Sequence, residues 1–249
     1  NFDWQDAAAR HALRRVLLLY TGGTIGMGRN AQTGALEPLD FRHLMDNLYE
    51  LRSLNTEVDT YSLAHPLDSS NMNPQHWARL ARIVADRYNA YDGFVILHGT
   101  DTMAYTSSAL SFMLMNLTKP VILTGSQLPI GQPRTDAKEN LLTSIELAAA
   151  CDDEGFARVP EVCIYFNGHL LRGNRATKQN AEGFNAFESF NYPHLCDAGV
   201  SFTFRTHHIL QPDRHLPLNV QTCMNTNVVV FSLFPGIQEC IVRHVLAAP

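Results

Sequence analysis

A threonine hydroxyl is a weak nucleophile until a neighbouring base or a lowered proton affinity activates it. Two short turns in this chain carry parts for that task. The first, Tyr20-Thr21-Gly22-Gly23-Thr24-Ile25-Gly26, sets Thr24 after two glycines. The second, His98-Gly99-Thr100-Asp101-Thr102, groups two hydroxyls and a carboxylate beside a histidine. Glycine lets a backbone approach a ligand closely and take conformations closed to other residues. Hydroxyls and a carboxylate amid glycines are equipment for attacking a carbonyl. Each turn also has a plainer reading. Glycine-rich turns after strands cradle anions, and Thr or Asp ahead of a helix commonly caps it. The first turn matches neither of the two familiar glycine patterns for phosphates, and no lysine follows it as in a P-loop. On the residues alone, nucleophile and anion cradle both stay open there. In the second turn one cap needs one residue, and the clustering of Gly99, Thr100, Asp101 and Thr102 exceeds that need.

The elements around the turns say where they sit. Val16-Leu17-Leu18-Leu19 precedes the first and Phe94-Val95-Ile96-Leu97 the second. Apolar runs that short and continuous read as buried parallel strands, and α/β proteins bind ligands at the carboxyl ends of such strands. Further strands are expected at 120–124, 161–166 and 227–234. Helices are expected at 39–51 (Leu39, Phe41, Leu44, Leu48, Leu51), from Pro74 to about Tyr88, at 102–116 with Ala109, Phe112, Met113 and Leu117 on one side, and at 135–150. Asn73 is placed to cap the second of these, with Pro74 in its first turn. The alternation predicts an α/β fold, a wound parallel sheet with helices on both faces. The stretch 183–224, rich in His, Pro and Asn, is assigned no element.

Bulk properties narrow the classes. At 249 residues, 45% hydrophobic and 17% charged, the chain suits an ordinary globular protein. A formal charge of −5 gives no basic footprint for nucleic acid. No apolar run approaches the roughly 20 residues of a membrane helix, and residues 1–11 do not read as a signal peptide. Five dispersed cysteines without a CxxC pair, and no His-rich cluster, suggest no metal, reduced thiols and a cytoplasmic address.

Five ordered segments together resemble the bacterial-type L-asparaginases. They are Thr21-Gly22-Gly23-Thr24-Ile25-Gly26, His98-Gly99-Thr100-Asp101-Thr102-Met103-Ala104, Thr124-Gly125-Ser126-Gln127-Leu128-Pro129, Asp136-Ala137-Lys138-Glu139-Asn140-Leu141-Leu142 and the run 166–178. The combination is most similar to the cytoplasmic type I branch. The resemblance implies an amidohydrolase that turns L-asparagine into L-aspartate and ammonia through a threonyl acyl-enzyme, with no cofactor and no metal. It implies Thr24 as the nucleophile and Thr100, Lys178 and Asp101 as a proton-relaying set. Gly23 and Thr100 would offer backbone N–H groups to the oxyanion, Ser69 and Ser70 would hold the substrate's α-carboxylate, and Asp101 its α-ammonium. Thr177 matches a position that touches an allosteric asparagine in some type I enzymes. His98 is assigned a packing role only. Outside the motifs, Ser69 reads as a loop serine and Lys178 as an exposed lysine.

The resemblance also implies a homodimer or dimer of dimers, with a small-molecule substrate, no nucleic acid and no membrane. The alternatives kept are a glutaminase or an amidotransferase-type amidase on the same fold, or a catalytically weak amino-acid-binding fragment. Two departures stand out. The family's lid tyrosine has no counterpart near Ala35 or Leu36, although Gly28 and Gly34 suit a mobile lid. Domain limits are read as an extension at 1–15, an asparaginase N-terminal domain at 16–234, and the start of a linker at 235–249. On that reading the family's smaller C-terminal α/β domain is missing.

Overall fold

A computed structural model describes residues 13–29, 36–38 and 48–247. In chain order the strands are β1 (Arg14–Tyr20), β2 (Met27–Arg29), β3 (Leu36–Pro38), β4 (Thr56–Ser62), β5 (Gly93–Leu97), β6 (Leu114–Met115) and β7 (Val121–Thr124). Then follow β8 (Val162–Phe166), β9 (His169–Arg172), β10 (Thr177–Lys178), β11 (Phe187–Glu188), β12 (Cys196–Ala198), β13 (Phe202–Phe204) and β14 (Asn219–Val220). The helices are α1 (Pro74–Arg87), α2 (Met103–Met113), α3 (Ala137–Ala149) and α4 (Glu239–Leu246).

A strand as apolar as Val16-Leu17-Leu18-Leu19 can hide both faces only between two layers of helices. That is its position. β1 lies between β4 and β5, and the main sheet runs β4-β1-β5-β7-β8-β9-β12-β13. Alternation along β1 sorts its side chains: Val16, Leu18 and Tyr20 pack with Leu141, Ile145 and Ala148 of α3, while Leu17 and Leu19 pack with Leu80 and Val84 of α1 and Leu110 and Met113 of α2. Each such fully buried leucine contributes about 1.5–3 kcal/mol. α1 begins as its sequence suggests: Asn73 Oδ1 accepts the His76 N–H at 3.1 Å, and Pro74 occupies the first turn.

The expected wound parallel sheet runs from β4 to β8, and β9, β12 and β13 extend it antiparallel, because β8 turns straight back into β9 through Asn167 and Gly168, both at positive φ. Several other expectations are corrected. Phe112 lies on the exposed side of α2, whose buried set is Met103, Thr106, Ser107, Ala109, Leu110 and Met113. That helix ends at Met113 rather than 116, since Leu114 and Met115 leave it to pair with Asn219 and Val220 and Asn116 takes a left-handed φ of 60°. The expected strand at 227–234 does not form. Val228, Val229 and Val230 are 69%, 72% and 93% exposed, and no described strand offers them a ladder. Of the expected helix at 39–51, only residues 48–51 are described, and Tyr49–Ser53 is a short 3-10 turn. The unassigned stretch 183–224 supplies β11 to β14.

Candidate active site

Both motif turns sit where the sequence put them, at the carboxyl ends of neighbouring parallel strands, β1 and β5. They interlock through glycine. Gly22 and Gly23 hold φ of 125° and 90°, a region that suits glycine alone. A Cβ on Gly23 would stand 2.6 Å from the Gly99 nitrogen, so the two turns meet backbone to backbone. A Cβ on Gly22 would stand 2.1 Å from the Leu67 carbonyl, and one on Gly99 would stand 2.6 Å from Ser69 Oγ. Hydrogen bonds tie the same three loops. Thr21 donates from N and Oγ1 to Leu97 O at 3.0 and 2.8 Å, Leu67 N donates to Thr21 O at 2.7 Å, and Thr102 Oγ1 donates to Ser69 O at 2.6 Å. Thr24 opens a 3-10 turn, Thr24–Gly26, on this platform and is half-buried.

Thr100 is held by side chains from far along the chain. Lys178 Nζ donates to Thr100 Oγ1 at 2.8 Å and to Asp101 Oδ1 at 2.7 Å. Thr100 Oγ1 also reaches Gln127 Oε1 at 3.4 Å. Lys178 is placed by β10 and β11, where it pairs with Phe187, and the Phe187 ring rests 5.2 Å from that of Phe166 at the end of β8. The Lys178 side chain is only 18% exposed while that of Asp101 is 68% exposed, leaving Asp101 open to a ligand. Gln127 has no assigned role in the sequence reading, although it lies inside a quoted motif. Its amide nitrogen donates to Ala181 O and Gly183 O, both at 3.0 Å, which braces the segment after Lys178. Asp136 accepts from Gln127 N and Leu128 N, and Asn140 Nδ2 donates to Gly125 O. The Asp136–Asn140 motif is thus the buttress of the third loop.

The remaining site residues differ in setting. Ser69 is buried beside Gly99, whereas the exposed Ser70 donates from N and Oγ to Asp68 Oδ1 at 2.9 Å. Those two bonds hold the Asp68 carboxyl below the usual range. The N–H groups of Gly23 and Thr100 make no hydrogen bond among the described residues. Thr177 is exposed, and alternation along β10 turns it to the side opposite Lys178. It lines a cleft of about 630 Å³ with Asp101, Tyr105 and Lys178. In the lid region β2 pairs antiparallel with β3, and Ala35 lies outside the described residues.

His98 does more than fill a strand end. Its Nδ1 is 2.6 Å from Gly99 O and its Nε2 is 2.9 Å from Thr106 Oγ1, which also accepts from Trp77 Nε1. A carbonyl can only accept, so Nδ1 carries the proton and Nε2 receives the Thr106 hydroxyl. Burial pushes this imidazole down to about 4, against the smaller upward pull of the Gly99 carbonyl. A neutral ring therefore fixes the Gly99 carbonyl. In a planar trans peptide the Thr100 N–H points the opposite way from that carbonyl. A lone histidine after a strand gives no sequence signal for this.

A family model described as "Asparaginase, N-terminal" matches residues 15–210. The chain is 41% identical over 242 residues to L-asparaginase 1 of Escherichia coli K12, covering 95% of this chain and 68% of that one. It is 38% identical over 259 residues to the 60 kDa lysophospholipase of Mus musculus, covering 95% of this chain and 44% of that one. The crystal structure of L-asparaginase I from Vibrio cholerae superposes with a TM-score of 0.85 at 37% identity, over 96% of this chain and 70% of that one.

Proposed function

This chain belongs to the asparaginase family, and from that premise we propose that it hydrolyses the side-chain amide of L-asparagine to L-aspartate and ammonia. Thr24 Oγ1 attacks the amide carbon, and the resulting oxyanion is received by the N–H groups of Gly23 and Thr100. Ammonia leaves, a threonyl ester remains, and water releases aspartate. Thr100, Lys178 and Asp101 move the protons. Asp101 and Ser69, with Ser70, hold the two charges of the substrate's head.

One observation carries this reading: a lysine 78 residues downstream in sequence reaches both Thr100 and Asp101. A capping turn has no use for it. The N–H groups of Gly23 and Thr100, unengaged among the described residues, support the oxyanion role, since donors fixed in advance stabilise developing charge without reorganising. All five cysteines are unpaired, which suits a reducing, cytoplasmic setting. Among the described residues no helix is long and apolar enough to cross a membrane.

The test is ammonia release from L-asparagine and from L-glutamine by the chain and by Thr24→Ala. Release from asparagine that vanishes in the variant is the expected result. Turnover persisting in Thr24→Ala removes the nucleophile assignment. Equal rates on glutamine replace the substrate.

A further inference from the structure

A second cluster of chemically capable side chains gathers at the antiparallel end of the sheet. His169 opens β9, and its register partner across the ladder is Asp197 of β12. His194 comes from the loop before β12, and Glu188 from β11. The Nδ1 atoms of His169 and His194 each lie 2.9 Å from the same oxygen, Asp197 Oδ1, and the two rings are 4.2 Å apart. Three donor atoms of ligating type therefore converge within 4.8 Å.

The groups behind them are arranged as outer supports of a metal centre. A ligating imidazole usually gives its other N–H to a carboxylate, which fixes the ring and raises its basicity. His194 Nε2 faces Glu188 Oε1 at 3.0 Å. Arg205 Nη2 takes the other Asp197 oxygen, Oδ2, at 2.5 Å and leaves Oδ1 as the atom turned to the histidines. Zn–N and Zn–O bonds of about 2.0–2.2 Å set tetrahedral ligand atoms about 3.3 Å apart, so the 2.9 Å spacings need open by only a few tenths of an ångström. Two imidazoles and a carboxylate favour borderline transition metals over calcium or magnesium. A cation can reach the cluster, because the three side chains are 42%, 22% and 33% exposed for His169, His194 and Asp197. Beside them opens a cleft of about 550 Å³ lined by Ser189, Tyr192, His194 and Arg205. There the buried Ser189 hydroxyl has no hydrogen-bond partner, a polar atom suited to a metal-bound water.

We propose that His169 Nδ1, His194 Nδ1 and Asp197 Oδ1 form a binding site for a divalent transition metal of the zinc class, with water completing the shell. The ion joins β9 to β12 and, through Glu188, braces β11, the strand that pairs with the lysine-bearing β10. None of its ligands is among the residues proposed for amide hydrolysis, and it does not depend on that reading.

The chain, stripped with a chelator, is titrated with Co²⁺ and followed by visible absorption, then with Zn²⁺ by calorimetry. One equivalent of each metal is expected, with the bands of nitrogen and oxygen ligation and a melting temperature that climbs with free metal. His169→Ala combined with His194→Ala should weaken binding at least about 100-fold, since two of three protein ligands are lost. Glu188→Gln, which keeps every ligand, should weaken it about 10–100-fold. The exposed His65→Ala should leave it unchanged. If the double variant does not fold, Glu188→Gln and the spectrum decide. No uptake at sub-millimolar metal, sulfur-to-cobalt bands, or affinity unaltered by Glu188→Gln each overturn the site and leave a plain polar cluster.

Discussion

Thr24 and Thr100 sit on adjacent strand ends, yet the fold positions them by opposite means. Thr24 is placed by backbone: two positive-φ glycines, a neighbouring glycine that admits them, and no side-chain partner for its hydroxyl among the described residues. Thr100 is placed by side chains, with Lys178 at 2.8 Å and Gln127 at 3.4 Å. A hydroxyl that must leave its proton and bond to carbon gains from having no competing partner in the resting state. A hydroxyl that passes protons needs its neighbours already in place. The contrast predicts which substitutions alter chemistry and which alter the scaffold.

The largest effect should come from Thr24→Ala, a loss of about 10⁴–10⁶ in turnover, by analogy with removal of other hydroxyl nucleophiles. Melting should hardly change, because no described hydrogen bond is lost. Steady-state ammonia assays with thermal melts check both halves. Lys178→Met should cost about 10²–10⁴, the range for a positioned acid or base. Its stability cost stays near that of an exposed pair, about 0.2–1 kcal/mol, since water reaches Asp101. A near-native rate in that variant would make Lys178 a mere tether.

The scaffold predictions are smaller. His98 belongs to the second turn only, and its folded-state value of about 4 lies below the 6.5 of an unperturbed histidine. A depressed group stabilises above its unfolded value and loses that contribution as pH falls toward the folded one. Up to about 3 kcal/mol should therefore disappear between pH 6.5 and 4. His98→Asn should flatten that part of the denaturation profile, and an unchanged profile would place the loss elsewhere. Gly23→Ala should destabilise by more than the about 1–3 kcal/mol of a strained positive-φ residue, because the added Cβ also meets the Gly99 backbone. It should also slow turnover, because among the described residues no side-chain bond of Thr24 would restore its place. Urea titration beside the ammonia assay measures both.

What the sequence could carry followed from local chemistry. The runs 16–19 and 94–97 declared buried strands because nothing polar interrupts them, and Asn73-Pro74 declared a helix start because cap and fixed φ are properties of adjacent residues. Lys178 was legible only through the resemblance, for nothing in Ala176-Thr177-Lys178-Gln179-Asn180 tells of a hydroxyl 78 residues away. The valines at 228–230 misled for the converse reason: β propensity describes a surface to fit, and no described strand presents one. His169, His194 and Asp197 were invisible as a group, since the β9–β12 register brings them together. Gln127 shows no role in the sequence because the bond its side-chain oxygen accepts from Thr100 depends on how two strand ends stand side by side.

The span between Thr100 and Lys178 also sets a timetable. As the chain is made from its N-terminus, the turns of Thr24 and Thr100 are both synthesised before Lys178. The lysine then waits for Phe187 to close the short ladder that aims it. The Thr100–Lys178–Asp101 cluster is thus completed only once the later strands have folded.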